Sequence, residues 1–398
     1  MSSKFIFNRN SSIIFAAFLI SAFIIGIAGA LQSPTLSRFL TDEVKVNPIL
    51  VGIFYSVNAF ASIIGSFLLA SYSDKKGERR YIVLFCCLMG IGNNLVFALT
   101  RNYLILISLG VFFAALASAA MPQIFALARE YAEKTGRNVV VFNSLIRAQL
   151  SLAWVIGPPL SFALAINYGF STLYFSAIGM YFIAIFVVAL FLPSVARNPV
   201  TPQVIESKLI NQNDSILKNK NIIFLFLATV FMWTANIMYL IDMPLYIDEV
   251  LHLSKNLPGK LMGLAAGIEI PIMLIAGYLV PKFGKHRLMI FAILCGVFFY
   301  IGIIFCQSQL ALFGLQILNG LFIGIVANIG IIYFQDLIPT RMGVATTLFN
   351  NGVTCSVILG GMIQGFASDL YGHEIIYYIA LAMLLISLLL CIQVRTVR

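Results

Sequence analysis

Ser73-Asp74-Lys75-Lys76-Gly77-Glu78-Arg79-Arg80 packs six formal charges into eight residues, between apolar runs at 48–70 and 82–99. Each run is long enough to cross roughly 30 Å of hydrocarbon as a helix. Two such runs joined by so short and charged a segment make a membrane hairpin whose turn stays in water. The pattern returns further on. Ala70-x6-Gly77-Glu78-Arg79-Arg80 is echoed by Gly277-x6-Gly284-Lys285-His286-Arg287 at an offset of 207.

Working outward, apolar runs fall near 13–40, 48–70, 82–99, 104–128, 142–165, 171–192, 221–250, 258–280, 288–306, 310–337, 342–368 and 373–393. The chain is 61% hydrophobic and 10% charged, with mean hydropathy +0.98. Soluble domains carry about 25% charged residues, so lipid must cover this one. Long alternating strands are missing, which argues against a membrane barrel. The first run continues into Gln32-Ser33-Pro34-Thr35 without a small-x-small cleavage site, so it is expected to stay as the first helix. The fold class expected is an all-α membrane protein of twelve transmembrane helices in two related six-helix bundles.

The net charge of +10 sorts by loop. With both termini placed in the cytoplasm, 19 Lys and Arg fall on inner segments and 5 on outer ones, leaving Arg147 inside a span. That bias orients the chain with both ends inside. It makes the basic balance a matter of topology, and no nucleic-acid partner is expected. The six cysteines lie within apolar runs and show no metal-ligand spacing. The three histidines, His252, His286 and His373, sit in loops or at helix ends without clustering. Neither a metal nor a cofactor is expected.

The most polar long interruption is 193–220, which includes Asn211-Gln212-Asn213-Asp214. It is expected to be a cytoplasmic linker between an N-terminal bundle, 1–192, and a C-terminal bundle, 221–398. Further echoes support a repeat. Phe142-Asn143 matches Phe349-Asn350 at offset 207, Gly52 and Asn58 match Gly263 and Glu269 at 211, and Pro34 matches Pro244 at 210. Parallel six-helix repeats around a central cavity are a transporter architecture.

The 73–80 segment resembles the signature loop of the major facilitator superfamily, with Ala70 where that family often has glycine. Other stretches are similar to the bacterial sugar efflux transporters within it. These are Gly29-Ala30-Leu31-Gln32-Ser33-Pro34-Thr35-Leu36, Met121-Pro122-Gln123-Ile124-Phe125-Ala126-Leu127-Ala128-Arg129-Glu130-Tyr131, and 147–159 from Arg147-Ala148-Gln149 to Gly157-Pro158-Pro159. The second half adds Ile241-Asp242-Met243-Pro244-Leu245 and Phe334-Gln335-Asp336-Leu337. The resemblance covers nearly the whole chain and implies proton-driven export of sugars across the bacterial inner membrane. It also implies a gate latch at Asp74, Gly77, Arg79 and Arg80, with Asp74 reaching Arg129 or the end of helix eleven. A solvated turn is the plainer reading of those charges.

Charge inside a membrane is expensive and marks function or pairing. Three ionisable residues fall well within the runs: Arg147, Asp242 and Glu269. Glu269 reads as a proton-coupling acid or as half of a structural ion pair. Asp242, just before Pro244, reads as a second coupling acid, as a cap where proline breaks helix seven, or as a residue near the outer surface. Arg147 would pair with either acid or with substrate. Asn143, Arg147, Ser151 and Trp154 share one face of helix five at spacings of 4, 4 and 3. Tyr55 and Asn58 share a face of helix two, Trp233 and Asn236 of helix seven, and Asn350, Thr354 and Gln364 lie close to one face of helix eleven. With Gln32 they supply the amides and aromatic faces that a sugar needs. The alternative is hydrogen-bonded glue between helices. Gly157-Pro158-Pro159 predicts a bend in helix five.

The expected function is export of sugars or sugar-like molecules by proton antiport, by a monomer in the lipid bilayer. A multidrug exporter of the same fold is the near alternative. A membrane-embedded enzyme or receptor is the distant one, because no nucleophile, acid–base or metal cluster is present.

Overall fold

The computed structural model describes residues 9–75, 78–137, 139–194, 219–338 and 342–394. Twelve helices among the described residues are long and apolar enough to cross a membrane. They are α1 (Ser12–Glu43), α2 (Pro48–Ser73), α3 (Arg79–Leu99), α4 (Tyr103–Lys134), α5 (Ser144–Tyr168), α6 (Phe170–Phe191), α7 (Lys220–Val250), α8 (Leu257–Phe283), α9 (Lys285–Phe305), α10 (Gln309–Leu337), α11 (Val344–Tyr371) and α12 (Glu374–Gln393). No strand occurs among the described residues. Phe67, Leu68, Phe186, Phe298, Phe305 and Leu310 point outward and exposed. Only lipid gives such a surface a stable environment.

Two compact units divide the chain. The first holds α1 up to Leu36, α2 from Phe60, and α3 to α6; the second holds Ser37–Ala59 and α7 to α12. Within the first, α1 packs on α5 and α6, and α3 packs on α4 and α6. Within the second, α7 packs on α11 and α12, and α9 packs on α10 and α12. The two lists are the same when six is added to each helix number, so the repeat seen in the sequence is also a repeat of packing.

Small residues set the tightest crossings, as expected where lipid removes any hydrophobic drive between helices. A Cβ built on Gly157 would stand 2.3 Å from the Ala30 Cβ, and one on Gly26 would stand 2.9 Å from the Ala153 Cβ. On the equivalent pair, α7 and α11, a Cβ on Gly360 would stand 2.8 Å from Ile237 Cγ2. Aromatic clusters fill each core. Phe18 meets Phe142 edge-on at 5.3 Å in the first unit, and Phe299 meets Tyr239 at 5.1 Å in the second.

The helices end in repeated ways. α1 and α7 both finish in a π turn, Phe39–Glu43 and Tyr246–Val250. Each is followed by a left-handed residue that is not glycine, Lys45 (φ 63°) and His252 (φ 50°). The α5–α6 and α11–α12 connections both turn on a left-handed glycine, Gly169 (φ 85°) and Gly372 (φ 81°); a Cβ would oppose that conformation.

Three sequence expectations change. Pro244 does not break helix seven: α7 continues through it into the π turn. The third span, expected from residue 82, starts earlier, at Arg79, which places Arg79 and Arg80 in its first turn. Cys306 lies just past the end of α9, and Cys355 is exposed.

Candidate functional site

In the first unit, Gln32 on α1 accepts from Asn93 Nδ2 on α3 at 2.8 Å. Asn93 is buried, with its own Oδ1 lacking a partner. Nearby Thr35 and Ser161 share a hydrogen bond at 3.1 Å, and Ser161 also donates to the Leu31 carbonyl. Arg147 points into the open and lays its guanidinium 5.3 Å from the Phe125 ring centre. Its observed contact is therefore cation–π; the partners weighed for it were either acid or substrate. Ser151 is half-buried and Trp154 exposed on the same helix.

The charged turn is held by a fork. Arg79 donates from Nε to Glu130 Oε1 at 2.8 Å, and from Nη1 to Ser73 Oγ at 2.9 Å and Gln123 Oε1 at 3.0 Å. Ser73 also donates to Gln123 Oε1 at 2.9 Å. Arg80 donates to the Ala189 carbonyl on α6. Arg129 pairs with Glu133 one turn on, at 2.8 Å and exposed; the expected reach to Asp74 falls outside the described residues. Gly77 and the side chains of Asp74 and Asn143 lie outside the described residues.

In the second unit the intramembrane acids separate. Asp242 is fully buried. Its Oδ1 accepts from Gln364 Nε2 at 3.0 Å and lies 2.6 Å from His373 Nδ1, in the turn between α11 and α12. Its Oδ2 is buried without a partner. Gln364 is thus drawn into a helix–helix bond. Glu269, on α8, is half-buried and has no hydrogen bond or ion pair among the described residues; the structural ion pair weighed for it is absent there. α2 and α8, equivalent in the repeat, are the least buried of the twelve helices, which leaves Asn58 and Glu269 on the barest scaffold.

Of the amides and aromatics, Tyr55 and Asn58 are half-buried, and Asn58 Oδ1 has no partner. Trp233 Nε1 is likewise unpartnered, and Asn236 is buried one turn on. Asn350 is exposed and its carbonyl accepts from the Thr354 hydroxyl at 2.9 Å. Free donors and acceptors of this kind suit a ligand rich in hydroxyls. No group able to hold a metal occurs among the described residues.

Two residues escaped the sequence reading. Arg38, counted as an outer-loop charge, is buried because α1 runs on through the π turn. It holds Asp42 with Nε and Nη2, and Asp248 with Nη2 at 2.8 Å. His373 is the other, tied to Asp242 and, through Nε2 at 3.4 Å, to Glu249.

The Major Facilitator Superfamily model matches residues 18–311. The chain is 50% identical to Sugar efflux transporter A of Escherichia coli (strain K12) over 98% of both chains. It belongs to the sugar efflux transporters of the Major Facilitator Superfamily. Sugar efflux transporter B of Salmonella typhimurium is 44% identical, over 96% of this chain and 95% of that one. Among solved structures, the nucleoside transporter NupG superposes with a TM-score of 0.81 at 13% identity, over 97% of this chain and all of that one. A bacterial homologue of the lysosomal transporter Spinster gives 0.80 at 11%. These two likenesses establish the fold. This facilitator is accordingly a multi-pass membrane protein.

Proposed function

We propose that this facilitator exports sugars or sugar-like small molecules from the cytoplasm by alternating access, in exchange for protons. The observation that carries the substrate class is near full-length similarity to proteins named as sugar efflux transporters. Unpartnered Asn58 and Trp233 support it, since both offer polar atoms to a polyhydroxylated ligand. Coupling is assigned first to Glu269, an intramembrane acid with no pair to neutralise it. Asp242 and Arg147 remain as supporting members. The remaining ligands proposed are Gln32, Tyr55, Asn143, Ser151, Trp154, Asn236, Asn350, Thr354 and Gln364.

The chain works in this reading as a monomer in the bacterial inner membrane, with six-helix halves 1–192 and 221–398 on a cytoplasmic 193–220 linker. The excess of Lys and Arg on inner segments supports both termini being cytoplasmic. Asp74, Gly77, Arg79, Arg80 and Arg129 form its cytoplasmic gate.

A multidrug exporter is the second reading. It rests on 24% identity to the multi-drug resistance efflux pump PmrA of Streptococcus pneumoniae over 38% of this chain, a much shorter match than the sugar transporters give. The deciding experiment reconstitutes purified protein in vesicles with an imposed pH gradient and measures efflux of labelled mono- and disaccharides against lipophilic cations. Glu269→Gln is expected to retain sugar counterflow and lose gradient-driven accumulation. Gradient-driven transport by Glu269→Gln at the wild-type rate removes the coupling assignment. Cation transport without sugar transport removes the substrate assignment.

A further inference from the structure

The connection between α11 and α12 is two residues long, Gly372 and His373, and its histidine is turned inward. The side chain is only 11% exposed. Its two ring nitrogens face different carboxylates. Nδ1 lies 2.6 Å from Asp242 Oδ1, which is sealed from water, and Nε2 lies 3.4 Å from Glu249 Oε2, whose side chain is half exposed. The remaining neighbours are accounted for. Gln364 donates to Asp242 and to Ser368 on the α11 side. Glu374 opens α12, and the Tyr246 and Tyr377 rings stand 4.5 Å apart beside the pair. Asp248, next to Glu249, is taken by Arg38 and Lys255.

We propose that His373 is a proton relay, carrying protons between water at Glu249 and the buried carboxyl of Asp242. This rests on the proton-antiport reading above. The ring has a nitrogen on each side of the barrier, and imidazole is the side chain that both takes and gives a proton near neutral pH. In the inward step, a ring with its proton on Nδ1 takes a second proton at Nε2 from hydronium arriving beside Glu249, which leaves as water. The Nδ1 proton passes to Asp242, leaving a neutral ring protonated on Nε2 and a neutral carboxyl. Charge is conserved: one proton has crossed from the surface to the buried acid. The return step restores the first tautomer: Asp242 gives its proton back to Nδ1 as Nε2 releases its own to water. The two carboxylates also favour the imidazolium. Burial alone would lower the His373 pKa, but contact with Asp242 and Glu249 raises it above the ordinary histidine value.

The test uses full-length protein in vesicles, with the labelled sugar that gives wild type its fastest counterflow and a pH-sensitive dye trapped inside. Wild type, His373→Asn and Glu249→Gln are compared for sugar counterflow without a gradient and for sugar-dependent proton movement from pH 5.5 to 8.5. His373→Asn is expected to keep counterflow and to lose proton movement by about tenfold or more. Glu249→Gln is expected to keep counterflow and to slow proton movement, with the midpoint of its pH profile moved to lower pH. A purely structural histidine would depress both fluxes together and leave the midpoint in place. Proton movement by His373→Asn at the wild-type rate, or a Glu249→Gln midpoint identical to wild type, overturns the relay. The second variant decides if the first fails to fold. Wild-type sugar transport without any proton movement removes the antiport reading itself, and the relay with it.

Discussion

Arg38 and Asp248, 210 residues apart in sequence, meet at 2.8 Å where α1 and α7 end. Arg38 is buried to 5% side-chain exposure, while Asp248 keeps 22% and Asp42 keeps 38%. The pair is therefore anchored by a cation with little access to water and screened on the acid side. Asp248→Asn should destabilise the protein by about 1.5–3 kcal/mol, the range for a hydrogen bond to a charged group. The check is thermal unfolding in detergent. A cycle with Arg38→Gln should show strong non-additivity, because the two residues touch.

The seam between α2 and α11 tolerates no side chain. A Cβ on Gly52 would stand 2.2 Å from the Gly361 carbonyl oxygen and 2.9 Å from the Gly365 Cα. Backbone, not a flexible side-chain tip, is in the way, so Gly52→Val must push the helices apart. Overpacking of this kind costs about 1–3 kcal/mol. The expected result is a lowered melting temperature and reduced sugar efflux. Gly179→Ala, whose Cβ would meet nothing within 4 Å, is the neutral control.

Arg79 gathers Glu130, Ser73 and Gln123, among the described residues, on one guanidinium. Lysine carries the charge but not the planar fork. Arg79→Lys should keep the ion pair to Glu130, lose one or both polar contacts, and slow transport without abolishing insertion. Transport rate, normalised to protein in the membrane, reads this out. Arg129→Ala should do far less to stability, since its pair with Glu133 is solvent-exposed on both sides and such pairs contribute little.

His373 makes stability depend on pH in a stated direction. Its folded pKa is raised, so the protonated ring binds the native state more tightly than the unfolded chain. The stabilisation is complete below the unfolded value, near 6.5, and disappears as pH rises through the folded value. The gap in melting temperature between wild type and His373→Gln should be widest near pH 5.5 and close by alkaline pH. A gap that widens with rising pH would contradict the assignment.

Most of the architecture could be read from the chain because lipid imposes a length and a composition on every span. The charged turns at 73–80 and 284–287 marked the repeat for the same reason: charge cannot stay in hydrocarbon. What remained hidden depended on distance in sequence. His373 and Asp242 are separated by 131 residues, and no periodicity links a loop histidine to an acid on another helix. Arg38 was misread because π turns have no sequence signature, and the helix runs to Glu43, three residues past the edge expected at 40. Asn93 sits beside Asn94 on α3 with no polar stripe at helical spacing to draw attention, and only Gln32 gives it meaning. The helix-five stripe was legible as a face, but the partner of Arg147, Phe125 on α4, was not.

Gly169 and Gly372 each turn the chain between two spanning helices almost without a loop. Such a hairpin has no slack. When its first helix enters the membrane during synthesis, its second is already at the translocation channel, so the two are committed as one unit. Biogenesis of each bundle then ends on a cooperative step, and lengthening either turn would uncouple insertion of the last helix from that of its neighbour.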